Sequence, residues 1–497
     1  MLDYIFNNTI QFLERMPKSV RKKKGQFFTS IETAKFMADM FTLDNLPSSV
    51  RILDPGSGTG ILSVALFCKL QEIPSIKKVS LTCYETDSDV IPLLYSNLEY
   101  VKRNTTIGFD FEILEEDYLL SQSDSFSGTL FADKTPPEYD LIIANPPYVR
   151  VMRDNPAAIA MPEVVHGAPN LYFLFASMSL FNLKKGCEMV YIIPRSWTSG
   201  LYFKAFRKYL LQNGKIQQIH LFVSRDKVFS EEQVLQETII IKIKKSNHVP
   251  ENILITSSKS NRDFKEITKL IVPYSSVVTG EDLYVFLPTS KEEVAAVHKI
   301  NRFTSTLPDI GLRMKTGIVV DFRQWEELRP EPGENIVPLF YSQHIRNGRV
   351  NHSPSGKNLD WIIDSKPGLI QENKNYVFCK RFTAKEEHRR LQCGIYLADD
   401  FSQYDSIGTQ NKINFVDSTT GDALSEELVY GIYALLNSTL FDTYYRVLNG
   451  STQVNSTEIN SIPVPPLSVI SDIGKSLMQK ESLSTEICDE LLDRVYM

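Results

Sequence analysis

Asn145-Pro146-Pro147-Tyr148 closes the apolar run Asp140-Leu141-Ile142-Ile143-Ala144, and its residue types are suited to gripping a planar, conjugated amino group. The Asn145 amide oxygen and the Pro146 carbonyl can each accept one amino hydrogen, while Tyr148 offers an aromatic face for stacking. Such acceptors stabilise the positive charge that develops as the nitrogen attacks an electrophile. An amide does this without burying an unpaired charge. No general base is required before transfer, and none of the seven histidines falls in a motif. A lone Asn-Pro-Pro could equally be a loop brake, because proline fixes φ and removes a donor.

The elements that must position the tetrapeptide begin upstream. Asp54-Pro55-Gly56-Ser57-Gly58-Thr59-Gly60 follows the apolar run 50–53 and precedes the helix-period segment 61–70. Strand, glycine turn and helix form the order of a nucleotide-type cofactor site, where Gly56, Gly58 and Gly60 allow close backbone approach and the helix offers unpaired N–H groups. No Lys-Ser/Thr follows, so this is not a phosphate loop. The acid that opens the turn favours a cationic ligand over a pyrophosphate. A second strand, 78–84, ends in Glu85, placed to accept hydrogen bonds from ribose hydroxyls; otherwise it is a solvated strand-end acid. A third, 110–114, leads to Asp117, a possible acceptor for an adenine amino group, and Tyr118, which could cover the ring.

In this order the segments resemble the gamma-class, S-adenosylmethionine-dependent DNA adenine methyltransferases of bacterial type II restriction–modification systems. Gly25-Gln26-Phe27-Phe28-Thr29 is similar to the family's segment contacting the methionine part of the cofactor, and assigns Thr29 to that site. Asp54, Pro55, Gly56, Gly58 and Gly60 correspond to its glycine turn, Glu85 to the ribose acid, Asp117 and Tyr118 to the adenine pocket. Asn145, Pro146, Pro147 and Tyr148 correspond to its catalytic tetrapeptide. Asn170-Leu171-Tyr172 with Phe175, and 192–197, also resemble the catalytic domain. The match covers roughly residues 21–245. It implies a Rossmann-like class I methyltransferase domain that uses S-adenosylmethionine and no metal, acting on double-stranded DNA beside a separate cognate restriction endonuclease.

A duplex hides the adenine amino group, so the resemblance implies that the base is rotated out of the helix at a cost of a few kcal/mol. Stacking on Tyr148 recovers part of that. Phe229, just before the strand-like 237–243, is the candidate for the opposite face; its alternative is a core residue.

At 497 residues and 42% hydrophobic, the chain is expected to form at least two cores. The expected boundaries are 1–245 for the catalytic domain, 246–300 for a connector with strand pieces and a helix at 291–301, and 301–497 for a mixed α+β target-recognition domain. Strands are expected near 50–54, 79–84, 110–114, 139–144, 187–193, 216–222 and 236–244, the last two as an antiparallel pair at the sheet edge. Short strands are expected at 318–322 and 410–415, and the helical tail 467–496 packs on its own domain or on another subunit. Six cysteines show neither zinc spacing nor a redox pair, so they read as reduced thiols. No apolar stretch reaches about 18 residues and no signal pattern is present, which points to a cytoplasmic protein without membrane contact.

The net charge of −6 does not exclude DNA, since phosphate contacts need only one cationic face. Arg21-Lys22-Lys23-Lys24 forms a basic run, and residues 302–398 carry 15 Lys+Arg against 11 Asp+Glu. Arg313, Lys315, Arg346 and Arg349, with Gln410, Asn411 and Lys412, are candidate DNA contacts; each alone is equally an ordinary surface residue. Rival readings place the same tetrapeptide in methyltransferases acting on cytosine, on RNA bases or on a protein glutamine. A non-enzyme rival is a DNA-binding specificity module on a decayed methyltransferase fold.

Overall fold

The computed structural model describes residues 1–15, 29–129, 136–222, 237–261, 263–353, 359–364, 368–384, 387–449 and 453–496. They divide into two compact units, Met1–Thr289 and Ser290–Met497.

The first unit is built on a nine-stranded sheet: β1 (Ser49–Asp54), β2 (Lys78–Tyr84), β3 (Gly108–Leu114), β4 (Tyr139–Ala144), β5 (Leu183–Pro194), β6 (Lys215–Phe222), β7 (Thr238–Lys244), β8 (Asn252–Ser258) and β9 (Thr268–Pro273), in the order β3-β2-β1-β4-β5-β7-β6-β8-β9. The first five strands are parallel, and β7 runs antiparallel between β5 and β6. All six residues of β4 are buried, as a parallel strand covered on both faces requires. Even its acid is satisfied inside: Asp140 accepts from Arg51 N at 2.8 Å and from Lys184 Nζ at 2.7 Å. The order reverses between β1 and β4, and a crevice at their carboxyl ends follows from that topology.

The helix Ile61–Leu70 after β1 is apolar all round and largely buried. Val64 and Phe67 join Val50, Ile52, Leu81, Leu94, Leu98 and Ile143 in one core. The N-terminal helix Leu2–Arg15 turns Leu2, Ile5 and Thr9 inward. These are the elements that hold the β1 turn from behind.

The antiparallel β6–β7 pair forms as expected, but not at the edge. β8 pairs parallel to β6, and β9 pairs antiparallel to β8. The stretch expected as a connector therefore supplies two sheet strands before the unit ends. Covering β6 satisfies a ladder that would otherwise be exposed, and side chains reinforce the join: His220 of β6 contacts Thr256 Oγ1 at 2.9 Å and Ser258 Oγ at 3.1 Å. Burial pushes the His220 imidazole down to about 3, so it stays neutral.

The second unit is mixed α+β. A six-stranded sheet, ordered 312–316, 413–418, 376–380, 393–396, 349–350, 345–346, lies beside a five-stranded one, ordered 328–329, 361–363, 336–340, 406–409, 370–372. Phe340, Tyr376, Phe378, Tyr396 and Phe415 fill its core. Two short-strand expectations shift. Of 318–322, only Val319 makes a bridge, to Gln410, and 410–412 bends where a strand was expected, so that the strand starts at Ile413. The tail forms two helices, Leu467–Met478 and Thr485–Tyr496. The first packs on Glu426–Asn437 within the unit, at a contact that requires glycine: a Cβ on Gly474 would lie 1.7 Å from the Glu427 carbonyl oxygen.

Candidate active site

The β1 turn is shaped by two left-handed glycines, Gly58 at φ 53° and Gly60 at φ 85°. Gly60 is the N-cap of Ile61–Leu70, and a Cβ there would meet Leu94 Cδ1 at 2.9 Å. Ser57 N donates to the Tyr84 carbonyl at 3.0 Å, tying the turn to the end of β2. A buried polar chain holds it from the other side: Thr9 Oγ1 donates to Thr59 Oγ1 at 2.8 Å, and Asn97 Nδ2 donates to the Thr59 carbonyl at 2.9 Å. Nothing in the motif spelled out these residues, which come from distant helices.

Asp54 stands behind the turn rather than on the cavity wall. It is fully buried and accepts from Ser63 Oγ at 2.5 Å, and burial pushes its carboxyl up to about 7. The expected direct attraction of a cation by Asp54 is thus replaced: Glu85, Glu116 and Asp117 are the acids that line the cavity.

That cavity encloses about 270 Å³. Its wall brings together Thr29, Pro55, Gly56, Gly58, Glu85, Asp117, Tyr118, Asn145 and Pro147 from the sequence-derived set, and adds Ser57, Thr59 and Phe175. Gly60, Pro146 and Tyr148 lie outside the wall, each adjacent in sequence to a residue that forms it.

Glu85 sits at the tip of β2. Its Oε2 accepts from Gly58 N at 2.9 Å, and its Oε1 from Thr86 N and Asp87 N, both at 2.9 Å. Burial raises its pKa against these bonds. A carboxylate has about four lone-pair positions, so three are already engaged. Asp117 caps the short helix Tyr118–Ser121, accepting from Leu119 N and Leu120 N through one oxygen. Tyr118 is buried. Its hydroxyl donates to Asn182 Oδ1 at 2.9 Å, and its ring leans on Tyr84 and Phe175.

At the end of β4, Asn145 Nδ2 donates to Thr29 Oγ1 at 3.1 Å, and the Tyr148 hydroxyl donates toward Asn145 Oδ1 at 2.8 Å. Tyr148 Oη also lies 2.9 Å from the Ile192 carbonyl of β5. Burial raises the Tyr148 hydroxyl well above its usual range, so it remains a donor. Its ring meets Tyr172 edge-on, 6.3 Å between centroids. Thr29 is itself fixed, because it precedes the N-cap Ser30, whose helix anchors through Thr33 Oγ1 to the Asn261 carbonyl at 3.1 Å. Arg21, Lys22, Lys23, Lys24, the segment Gly25–Phe28 and Phe229 lie outside the described residues.

The chain is 32% identical over 487 residues to the type II methyltransferase M.PstI of Providencia stuartii, covering 96% of this chain and 94% of that one. It belongs to the type II methyltransferases of restriction–modification systems. M.BsuBI of Bacillus subtilis is 32% identical over 467 residues, with 92% and 91% covered. A family model described as Eco57I restriction-modification methylase matches residues 65–229 of this methyltransferase. Among solved structures, the type IIL restriction-modification enzyme MmeI, in complex with DNA, matches with a TM-score of 0.50 at 12% identity, covering 100% of this chain and 74% of that one. The DrdV–DNA complex matches with a TM-score of 0.50 at 14% identity, over 96% and 59%. At such identity these two speak to the fold. The Rossmann-like sheet and the α+β second unit agree with the expected fold class.

The basic candidates of the second unit fall into two groups. Arg313 and Lys315 line a cavity of about 410 Å³ with Thr316, Ser456, Thr457 and Asn460. Lys315 also pairs with Asp417 at 2.7 Å. Arg346 and Arg349 flank the hairpin turn at Asn347-Gly348. Arg346 is exposed, whereas Arg349 bonds the Tyr430 hydroxyl at 2.5 Å and covers its ring.

Proposed function

We propose that this methyltransferase transfers a methyl group from S-adenosylmethionine to the exocyclic amino group of an adenine rotated out of duplex DNA, protecting a specific site from a cognate endonuclease in the cytoplasm. The observation that carries the reading is that Asn145 and Pro147 share one cavity wall with the glycine turn, Glu85 and Asp117.

The residues fit the cofactor. Gly56 and Gly58 present backbone where a side chain would fill the cradle, and the acids Glu85, Glu116 and Asp117 suit a cationic, hydroxyl-bearing ligand. Glu85 would bind ribose hydroxyls, with release of one backbone bond if both are to be taken; Asp117 and Tyr118 would hold the adenine end, and Thr29 the methionine end. The bound cofactor supplies an electrophilic methyl group on a sulfonium.

The chain's own groups do the rest. Asn145 Oδ1 and the Pro146 carbonyl accept the two amino hydrogens of the target base, which favours a localised nitrogen lone pair and stabilises the charge that forms on it. Thr29 orients the Asn145 amide. Tyr148 has one hydroxyl hydrogen and two acceptors, Asn145 Oδ1 and the Ile192 carbonyl, so its donation can pass to Ile192 when the base engages Asn145. The Tyr148 ring stacks on the base, with Phe229 as the proposed opposite face. The second unit reads the target through polar and basic side chains.

The test is incubation of the protein with methyl-labelled S-adenosylmethionine and duplex DNA. Label recovered in N6-methyladenine supports the reading, whereas label confined to cytosine, RNA or protein overturns it.

A further inference from the structure

The second unit exposes aromatic side chains that its own core does not use. Phe322 is 80% exposed and Trp325 67% exposed, in the turn Asp321-Phe322-Arg323-Gln324-Trp325. The turn is built, not loose: Arg323 N and Gln324 N donate to the Val320 carbonyl at 2.8 and 3.1 Å, and Val320 N donates back to Gln324 Oε1 at 2.6 Å. Gln410 Nε2 donates to Asp321 Oδ2 at 3.2 Å. A rigid turn that holds two large rings in water costs solvation free energy unless something covers them.

A second pair of the same kind adjoins it. Asn411 N donates to the Val319 carbonyl at 2.8 Å, and Arg381 N donates to the Lys412 carbonyl at 2.9 Å. The 410–412 bend therefore stands between the 321–325 turn and Arg381-Phe382. Phe382 is 46% exposed. In each pair a guanidinium lies over a phenyl ring, Arg323 over Phe322 at 5.6 Å and Arg381 over Phe382 at 5.7 Å. Arg323 and Lys412 are exposed cations, and Glu326, directly after the turn, is an exposed acid. Rings that stack any base face, interleaved with cations, are the chemistry of a nucleic-acid platform.

We infer that Phe322 and Trp325, with Phe382 across the 410–412 bend, form an aromatic wedge for the bound DNA, packing on a base step that they unstack, with Arg323 and Lys412 on its phosphates. The inference rests on the DNA reading above and goes further by naming the surface and its mode of contact. Unlike Arg349, held on Tyr430, these groups face outward before DNA arrives.

Trp325 provides its own probe, because Trp197 and Trp361, the other two tryptophans, are buried. The experiment measures acrylamide quenching of the full-length protein with and without a duplex oligonucleotide carrying the sequence that the wild-type protein modifies. Quenching of the exposed component is expected to fall severalfold on saturation with DNA. The double variant Phe322→Ala, Trp325→Ala, which removes only exposed side chains, is expected to bind that duplex roughly tenfold more weakly with cofactor affinity unchanged. Arg323→Gln should reduce the salt dependence of binding by about one phosphate contact. Trp325 fully accessible in a complex that is still methylated overturns this inference alone. Unchanged DNA affinity and methylation in the double variant also overturn it. Absence of DNA methylation by the wild-type protein overturns the underlying reading, and this inference with it.

Discussion

The Tyr148 hydroxyl lies 2.8 Å from Asn145 Oδ1, while the Asn145 amide nitrogen lies 3.1 Å from Thr29 Oγ1. Two residues at opposite ends of the first 150 positions thus hold one amide in one orientation, at the rim of a cavity built by a glycine turn. Catalytic groups gain from being held before substrate arrives.

Tyr148→Phe removes the hydroxyl and keeps the ring. One hydrogen bond contributes about 0.5–1.5 kcal/mol net, so turnover should fall roughly two- to tenfold with cofactor affinity unchanged. Tyr148→Ala should fall further, because stacking worth about 1–3 kcal/mol is lost as well. Steady-state kinetics of both variants measure the split; equal losses would remove the ring from the stacking role, and a Tyr148→Phe variant as fast as the wild type would remove the hydroxyl from the positioning role.

Glu85→Ala deletes an acceptor and leaves the N–H groups of Gly58, Thr86 and Asp87 without their partner. Cofactor affinity is expected to drop at least tenfold, given about 1.5–3 kcal/mol for hydrogen bonds to a charged group. Because burial raises the Glu85 pKa, wild-type affinity should weaken as pH falls through that raised value. Titration calorimetry with S-adenosylmethionine at several pH values tests both; affinity flat in pH and unaffected by the substitution would contradict the role.

Asp54 makes stability depend on pH. Its carboxyl is raised from 3.8 to about 7 by burial, so between those values the folded chain holds a proton that the unfolded chain has released. Stability therefore falls as pH rises through that window, by up to ~4 kcal/mol for so large a shift. Asp54→Asn keeps an acceptor for Ser63 and cannot ionise, so its denaturation midpoint should vary less between pH 5 and 8 than that of the wild type. Parallel curves for the two chains would show that the buried acid does not carry the effect.

Gly60→Ala places a Cβ at φ 85°, 2.9 Å from Leu94 Cδ1. The left-handed backbone alone costs about 1–2 kcal/mol, and calorimetry should show the melting temperature lowered by a few degrees. Gly128→Ala, also at positive φ but with nothing near its Cβ, separates the two contributions: a loss as large as at Gly60 would leave Leu94 without a part.

What could be read from the chain was what is local. Strand, glycine turn and helix from Val50 to Leu70, and the tetrapeptide after an apolar strand, carry their geometry in consecutive residues. What could not be read depends on distant partners. Thr9 and Asn97 support Thr59 from helices 50 and 38 residues away, with no spacing rule to announce them. Asp54 looked like a ligand because it is acidic and beside the turn, yet the turn's fold directs it to Ser63. Strands β8 and β9 read as connector pieces because edge pairing is decided by the strand they cover. Residues 318–322 read as a short strand, but Phe322 faces solvent, since its turn is closed by Gln324 and Gln410 rather than by a ladder.

The most direct measurement of the central claim is nucleoside analysis of duplex DNA treated with methyl-labelled S-adenosylmethionine and either wild-type protein or Asn145→Ala. Wild type should label N6-methyladenine alone. The variant should lose about two to three orders of magnitude in rate, as when one charge-stabilising hydrogen bond is removed, while still binding cofactor and DNA. Label on any other nucleoside, or a variant that turns over as the wild type does, would contradict it.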